Sequence, residues 1–465
     1  MAAQIHRRLD SLDSHLSWFY TRLLLLTGIS WAIHTAELVL FLFTRSFVGR
    51  DVGMGTRALE ALGVGIFVGS AIGGPVFGHL ADTRGRRPAL LIAMALSLAG
   101  LALSAVATKH YHVIIARTVA GIGLGGELPA ATVLVQELAP RCMRGRVVAL
   151  LEAFTGVGTV VGVALAFGLA PQIGWRVTYL LLCGSGLYVA VLRLGVPESP
   201  RWLASAGRVD EALLVLEKIE QAHGMRTPYT VQCESSAVGI SRIRWLFARQ
   251  TLVLWSLWTV MALSAYALGT YVPTLISLWG FNIFSRWSTM VLIGLAQIFG
   301  CVFASSVLDS YSHVQVLTCF TSLAALASVL TSNGPWTGPF VIVGTCSVSA
   351  LLAASWSCVL VCAPETFATG CRGRGVGYAF GCSRLGATVG SLLYPHMFNV
   401  WVMSVSAITW VFSLLLVAVV VAVALYEKQL LVCDGETEKT FDCEEEGPLL
   451  VSSSDSPHKT VMYSS

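Results

Sequence analysis

Apolar runs of about 20 residues recur along this chain, and each is long enough to cross the hydrocarbon core of a bilayer as a helix. Lipid offers no hydrogen bonds, so each run must satisfy its own backbone, which makes it helical. The runs centre near Trp31, Gly69, Ser97, Gly125, Thr159 and Leu187, then near Ser264, Ala296, Ala324, Gly344, Gly386 and Phe412. The fold class expected is all-α and integral to the membrane, with about twelve transmembrane helices. Composition agrees: 12% of the 465 residues are charged and mean hydropathy is +0.72, against about 25% charged residues in soluble domains.

A net charge of +4 gives no basic field for nucleic acid. The 12 cysteines form no CxxC pair or Cys/His cluster of zinc spacing, so no metal or cofactor is expected. No phosphate-binding loop or nucleophile–base set stands out, which argues against an enzyme. The first apolar run extends from Trp18 to Phe43 and contains His34 and Glu37. It is too long and too polar for the core of a cleaved signal and reads as a retained span.

Arg45, Arg50, Arg57, Lys109, Arg176 and Arg286 fall on one face of the membrane, and most of the other basic residues fall on the opposite one. Short basic loops stay inside, so both termini and the central loop are expected in the cytosol. The divisions are a cytosolic N-terminus (1–17), a six-helix half (18–196), a cytosolic central loop (197–249), a second six-helix half (250–426) and a disordered cytosolic tail (427–465). Within the loop, Leu213, Leu216 and Ile219 give Val209 to Ile219 one apolar face.

The halves repeat. Glu137 is followed by Arg144-Gly145-Arg146, Gly158 and Gly162; Glu365, 228 positions later, is followed by Arg372-Gly373-Arg374, Gly386 and Gly390. Asp82 and Asp309 are 227 apart, after the second and eighth spans. Parallel repeats of this kind place a substrate site near the bilayer midplane, between the halves.

Gly78-His79-Leu80-Ala81-Asp82-Thr83-Arg84-Gly85-Arg86-Arg87 resembles the signature loop of the major facilitator superfamily. Gly78 and Gly85 permit close approach and a tight turn. Asp82 can sit at a helix N-terminus or meet an arginine of the other half. Gly78, Asp82, Arg84, Gly85, Arg86, Glu137, Arg144, Asp309, Glu365 and Arg372 are therefore expected to gate the transporter. In the second-half loop Ser305 and Ser312 replace the glycines and His313 an arginine, so that lock is expected to be weaker. Arg117-Thr118-Val119-Ala120-Gly121-Ile122-Gly123-Leu124-Gly125-Gly126-Glu127 resembles the fourth-helix motif of proton-coupled members. Gly126 to Pro129, Glu137 to Gly145, Pro197 to Trp202 and Glu365 to Gly390 are similar to metabolite:proton symporters. That group takes in sugar porters, niacin transporters, synaptic-vesicle-2-related proteins and organic ion transporters.

Several polar residues lie inside the spans. Trp31, His34 and Glu37 follow at i, i+3 and i+6, which puts the polar pair on one face. His34 stands where related transporters commonly have an aspartate. His34, Glu37, Glu127, Glu152 and Arg117 are the candidate proton-coupling residues; Arg117 needs a partner inside the membrane, and Glu127 and Glu152 are the candidates to neutralise it. Arg384 breaks the repeat, since its mate is Gly156; a buried guanidinium suits a carboxylate. The organic anion and niacin transporters that this span resembles have an arginine here. Tyr266, Gln297, Trp356 and Trp31 are candidates to line the same site. A structural reading would pair Arg384 with Glu37 instead.

The expected function is proton-coupled symport of a small organic anion by alternating access, in the plasma membrane or an acidic endomembrane compartment. A facilitative sugar-like uniporter and a ligand-sensing transceptor are the alternatives. Glu445 to Leu450 resembles an acidic di-leucine signal, which implies a sorting adaptor at Leu449 and Leu450.

Overall fold

The computed structural model describes residues 2–12, 17–223, 249–278, 287–335, 337–419 and 421–422. The tail with Leu449 and Leu450, and residues 224–248 of the central loop, lie outside the described residues. Among the described residues, ten helical stretches are long and apolar enough to cross a membrane. They are α2 (Trp18–Asp51), α3 (Thr56–Arg84), α4 (Arg86–Val106), α5 (His110–Leu138), α6 (Arg144–Val163) continued through a π-helical segment into α7 (Ala170–Ile173), α8 (Trp175–Cys183) joined to α9 (Leu187–Gly195), α12 (Arg249–Leu278), α13 (Trp287–Val307), α14 (His313–Asn333) and α15 (Gly338–Glu365). Among the described residues, three shorter α-helices stand outside this set: α1 (Ala2–Asp10), α10 (Pro200–Ser205) and α11 (Val209–Ala222). Two more complete twelve spans: α16 (Arg372–Asn399) and α17 (Val405–Val419).

Helix α16 falls short in hydropathy because it carries Arg372, Arg374, Arg384 and a run of glycines. It tolerates them because it is packed between α3 and α12, where small residues admit close backbones and polar groups find partners. The tenth span runs further along the chain than its expected centre at Gly344. The apolar run continues through Val359-Leu360-Val361, and α15 ends only at Glu365.

Within the first half α5 packs on α3 and α4, and α2 on α6; within the second, α12 packs on α16, and α15 on α13 and α14. Two seams join the halves, α3 with α16 and α6 with α13. Glycines bring α5 against its neighbours: a Cβ on Gly125 would strike the carbonyl of Ser70, and one on Gly123 the backbone of Ser97.

Helix α11 buries Ala212, Leu216 and Ile219, with Leu213 at the margin, as its spacing predicts. Helix α1 lies in the segment expected only as a cytosolic N-terminus, with no helix assigned to it. Ile5 and Leu9 are buried on α10 and α11, and Arg8 forms a bidentate pair with Glu220 at 2.9 and 2.7 Å.

Candidate functional site

The polar residues gather in two layers. The first is at the end of the bundle that carries the arginine-rich loops. Gly85 has φ +114°, a conformation open to glycine, and this lets Glu198 close over the start of α4. Glu198 accepts from the backbone N–H groups of Arg86 and Arg87, as a carboxylate at a helix N-terminus should. Burial nonetheless raises its pKa, against those hydrogen bonds. Arg86 is fully buried and holds Glu137 at 3.0 and 3.1 Å while donating to the Thr369 carbonyl. Arg372 meets the same Glu137 at 2.9 Å. Asp82 accepts from the backbone N–H groups of Gly373 and Arg374, each at 2.9 Å. Both of these first-half acids, Asp82 and Glu137, are thus bonded across the seam to α16.

The mates of these residues make fewer bonds across the seam. Asp309 accepts from Arg146 N–H at 3.1 Å and Nε at 2.8 Å. Glu365 has only His313 among the described ion pairs, at 3.3 Å, with both side chains about a third exposed. Gly78 lies against the Gly373 carbonyl. Arg84 is exposed and joins no described ion pair. Arg144 is turned toward Asp10 of the preceding segment, at 3.5 Å, while its neighbour Arg146 takes the inter-half role. Asp10 also receives Arg201 at 2.7 Å, and Arg201 donates to the Glu137 carbonyl at 3.0 Å. Asp10, Glu198, Arg146, Arg201 and Arg374 were missed as site residues. The repeated Arg-Gly-Arg was a readable signal for Arg146 and Arg374.

The second layer is in mid-span. Glu37 receives Arg117 at 3.2 Å and the Ser97 hydroxyl at 2.6 Å. It is therefore Glu37 that neutralises Arg117, and not Glu127 or Glu152. Arg117 lies over the rings of Phe41 and Tyr179 at 4.5 and 5.5 Å, and its Nε and Nη2 are buried without a hydrogen-bond partner. His34 Nδ1 is 3.2 Å from Glu127. Trp31 donates to Thr155, whose hydroxyl donates to Glu152 at 3.1 Å. All four carboxylate and imidazole side chains are buried.

Arg384, 6% exposed, is not paired with Glu37. It donates to the Tyr266 hydroxyl and stacks on Phe380 at 4.1 Å. Its Nε is buried and unsatisfied, and no carboxylate lies within ion-pair distance among the described residues. Its charge reaches His34 and Glu152 across the gap between the halves.

A cavity of about 1190 Å³ lies above this layer and opens at the end remote from the lock. Tyr266, Gln297, Thr159 and Phe67 line it, and Thr159 bonds Gln297 at 3.1 Å across the α6–α13 seam. Phe67 meets Tyr266 edge to face. Arg384 sits beneath its floor and reaches it through Tyr266. Trp356 packs on Trp258, with ring centroids 5.4 Å apart, away from the lining, and Trp31 is turned into the first half.

Three comparisons bear on this arrangement. The profile of the sugar (and other) transporter family matches residues 43–431. A niacin transporter of Acinetobacter baylyi is 28% identical over 82% of this chain and 87% of its own. A gallate transporter of Pseudomonas putida is 30% identical over 74% of this chain and 78% of its own. Among solved structures, a proton:xylose symporter superposes with a TM-score of 0.70 at 17% identity, over 87% of this chain and 94% of that one; at that identity the likeness is one of fold. The chain belongs to the sugar (and other) transporter family of the major facilitator superfamily, and is a multi-pass membrane transporter of small organic solutes.

Proposed function

We propose that the chain is a proton-coupled symporter of a small aromatic carboxylate, working by alternating access. The observation that carries this reading is the buried guanidinium of Arg384, which has no acidic partner among the described residues and is tied to the cavity by Tyr266. A cation in a low-dielectric site without a counter-ion is costly, and an incoming carboxylate supplies the missing charge. Phe67 and Tyr266 offer ring faces and edges to an aromatic body. The niacin and gallate transporters named above carry solutes of this class.

His34, Glu127, Glu37 and Glu152 are the proton carriers in this reading. His34 and Glu127 share one hydrogen bond inside the first half, so a proton added there alters a pair that a bound anion faces through Arg384. With the arginine-rich end facing the cytosol, the closed lock and open cavity correspond to the outward-facing state. Rocking of the halves about the α3–α16 and α6–α13 seams exposes the site to the other side.

The Glu37–Arg117 pair favours one second reading. A carboxylate held permanently by an arginine carries no proton, and the chain would then be a uniporter. Uptake into proteoliposomes of carboxylates, organic cations and sugars, with and without an inward proton gradient, separates the two. Gradient-driven accumulation of a carboxylate, lost in Arg384→Gln, supports symport. Equilibration of a neutral sugar, indifferent to the gradient, overturns it.

A further inference from the structure

Above Arg384, the wall of the cavity carries a second arginine that the mid-span network does not use. Arg45 of α2 is half-buried and lines the cavity near its mouth. Its guanidinium lies over Gly63 of α3, where a Cβ would strike Nη1, so the glycine makes the notch in which the head group rests. Arg45 joins no ion pair and no hydrogen bond among the described residues. Asp51, on the same helix, is unavailable to it: Asp51 is held by Arg176 at 2.7 Å and by the Trp175 indole at 3.2 Å.

The acid among the cavity's lining residues is Glu60; its charge acts on Arg45, but the two make no described ion pair. Arg50 adds a further cation at the mouth. Across the opening, α16 presents His396 and Asn399, both exposed to the cavity. The mouth therefore holds two fixed cations against one acid, with hydrogen-bonding side chains on the facing wall. Low-dielectric walls focus the field of such charges along the opening.

We propose that Arg45 is an entry station for the transported anion: a first carboxylate site at the mouth of the cavity, from which the solute passes to Arg384 at its floor. The inference rests on the carboxylate reading of the site below. In it, Arg45 and Arg384 divide the work. Arg45 sets how fast a dilute anion is captured, and Arg384 sets how long it stays. Glu60 limits the dwell time at the mouth by offsetting part of the Arg45 charge, so that the solute is handed on instead of trapped.

Stopped-flow binding of nicotinate to the purified full-length chain, read by tryptophan fluorescence across a series of salt concentrations, tests this. The unmodified chain is expected to bind with an association rate that falls as salt rises. Arg45→Gln is expected to slow association about tenfold at low ionic strength, within the range of steered encounters. The difference should vanish near 1 M salt, where screening acts over about 3 Å, and the dissociation rate should hold. Arg45→Lys keeps the charge and should retain most of the fast association, whereas Glu60→Gln should quicken it. Arg384→Gln should speed dissociation instead. Association in Arg45→Gln equal to that of the unmodified chain at low salt, with dissociation still sensitive to Arg384, overturns the entry station and leaves the carboxylate site standing. Failure of the unmodified chain to bind nicotinate, gallate or benzoate overturns both.

Discussion

Asp82 at the end of α3 holds Arg374 at the start of α16 by two bonds, one from its backbone N–H at 2.9 Å and one from its Nε at 3.0 Å. The same carboxylate also receives Gly373 N–H, so it caps a helix of the opposite half while pairing with a side chain of that helix. This bond set bridges the two halves at the arginine-rich end. The pseudo-symmetric pair, Asp309 with Arg146, has one backbone bond fewer and a side chain that is 38% exposed on the arginine.

Asp82→Asn should therefore open the arginine-rich end more than Asp309→Asn does. Bonds to charged groups contribute about 1.5–3 kcal/mol, so losing one at Asp82 shifts the equilibrium by roughly ten- to a hundredfold. At Asp309, a partly exposed pair contributes about 1 kcal/mol or less. Distances between spin labels on Lys218 and Tyr311 read the opening. Equal shifts in the two variants would remove the inferred asymmetry.

Glu37→Gln should be damaging out of proportion to its size. Arg117 is buried, and its only described acidic partner within ion-pair distance is Glu37. Removing one member of a buried pair costs about 3–5 kcal/mol, seen as lost expression and a lower Tm. Glu37→Gln/Arg117→Gln should recover part of that stability, because no lone charge remains. If the pair also carries the coupling proton, the double variant should equilibrate solute without responding to the gradient.

How much of this was legible differs by type of signal. Twelve spans and two halves follow from hydropathy and the 228-residue repeat, and the repeat supports α16, whose arginines and glycines lower its hydropathy. The residues that bond Asp82 and Glu137 to α16 belong to the repeated motifs. Arg384 stands out because its mate is Gly156, but its partner, Tyr266, is 118 positions away and no periodicity links them. The Asp10–Arg201 bond spans 191 positions and left no trace in the pattern. Arg45 reads in sequence as a topological anchor near a span end; only the packing of α2 on Gly63 turns it into the cavity.

Docking of α1 should weaken in acid. The pKa of His6 is held below its ordinary 6.5 by burial, then by the charges of Arg201 and Arg372, with Asp10 and Glu137 opposing. Docked α1 thus binds fewer protons than released α1. Its stability is full above 6.5 and falls as pH drops from there toward the docked pKa. Asp10 does not act in this window. Burial raises its pKa but Arg201 and Arg144 outweigh that, so it stays below 3.8 and its contribution is lost only in stronger acid. Amide exchange in α1, corrected for intrinsic rate, should be faster at pH 5.5 than at pH 7.5, and His6→Gln should abolish the difference.

The α3–α16 seam offers a way to bias the conformational equilibrium by packing alone. Gly74 faces the carbonyl of Gly377, and Gly377 faces that of Gly74. A methyl group on Gly74 would meet backbone, which cannot turn aside as a side chain does. Overpacking of this kind costs about 1–3 kcal/mol, and here it is borne only by the state in which the two halves touch along this stretch. Gly74→Ala should therefore lengthen the Lys218–Tyr311 distance and shrink the population with an open cavity. Its neighbour supplies the control: a Cβ on Gly73 would strike the carbonyl of Ile122, on α5 of the same half. That contact does not break when the halves rock, so Gly73→Ala should lower Tm without moving the distance distribution. If both variants move it alike, the seam is not what distinguishes the two states.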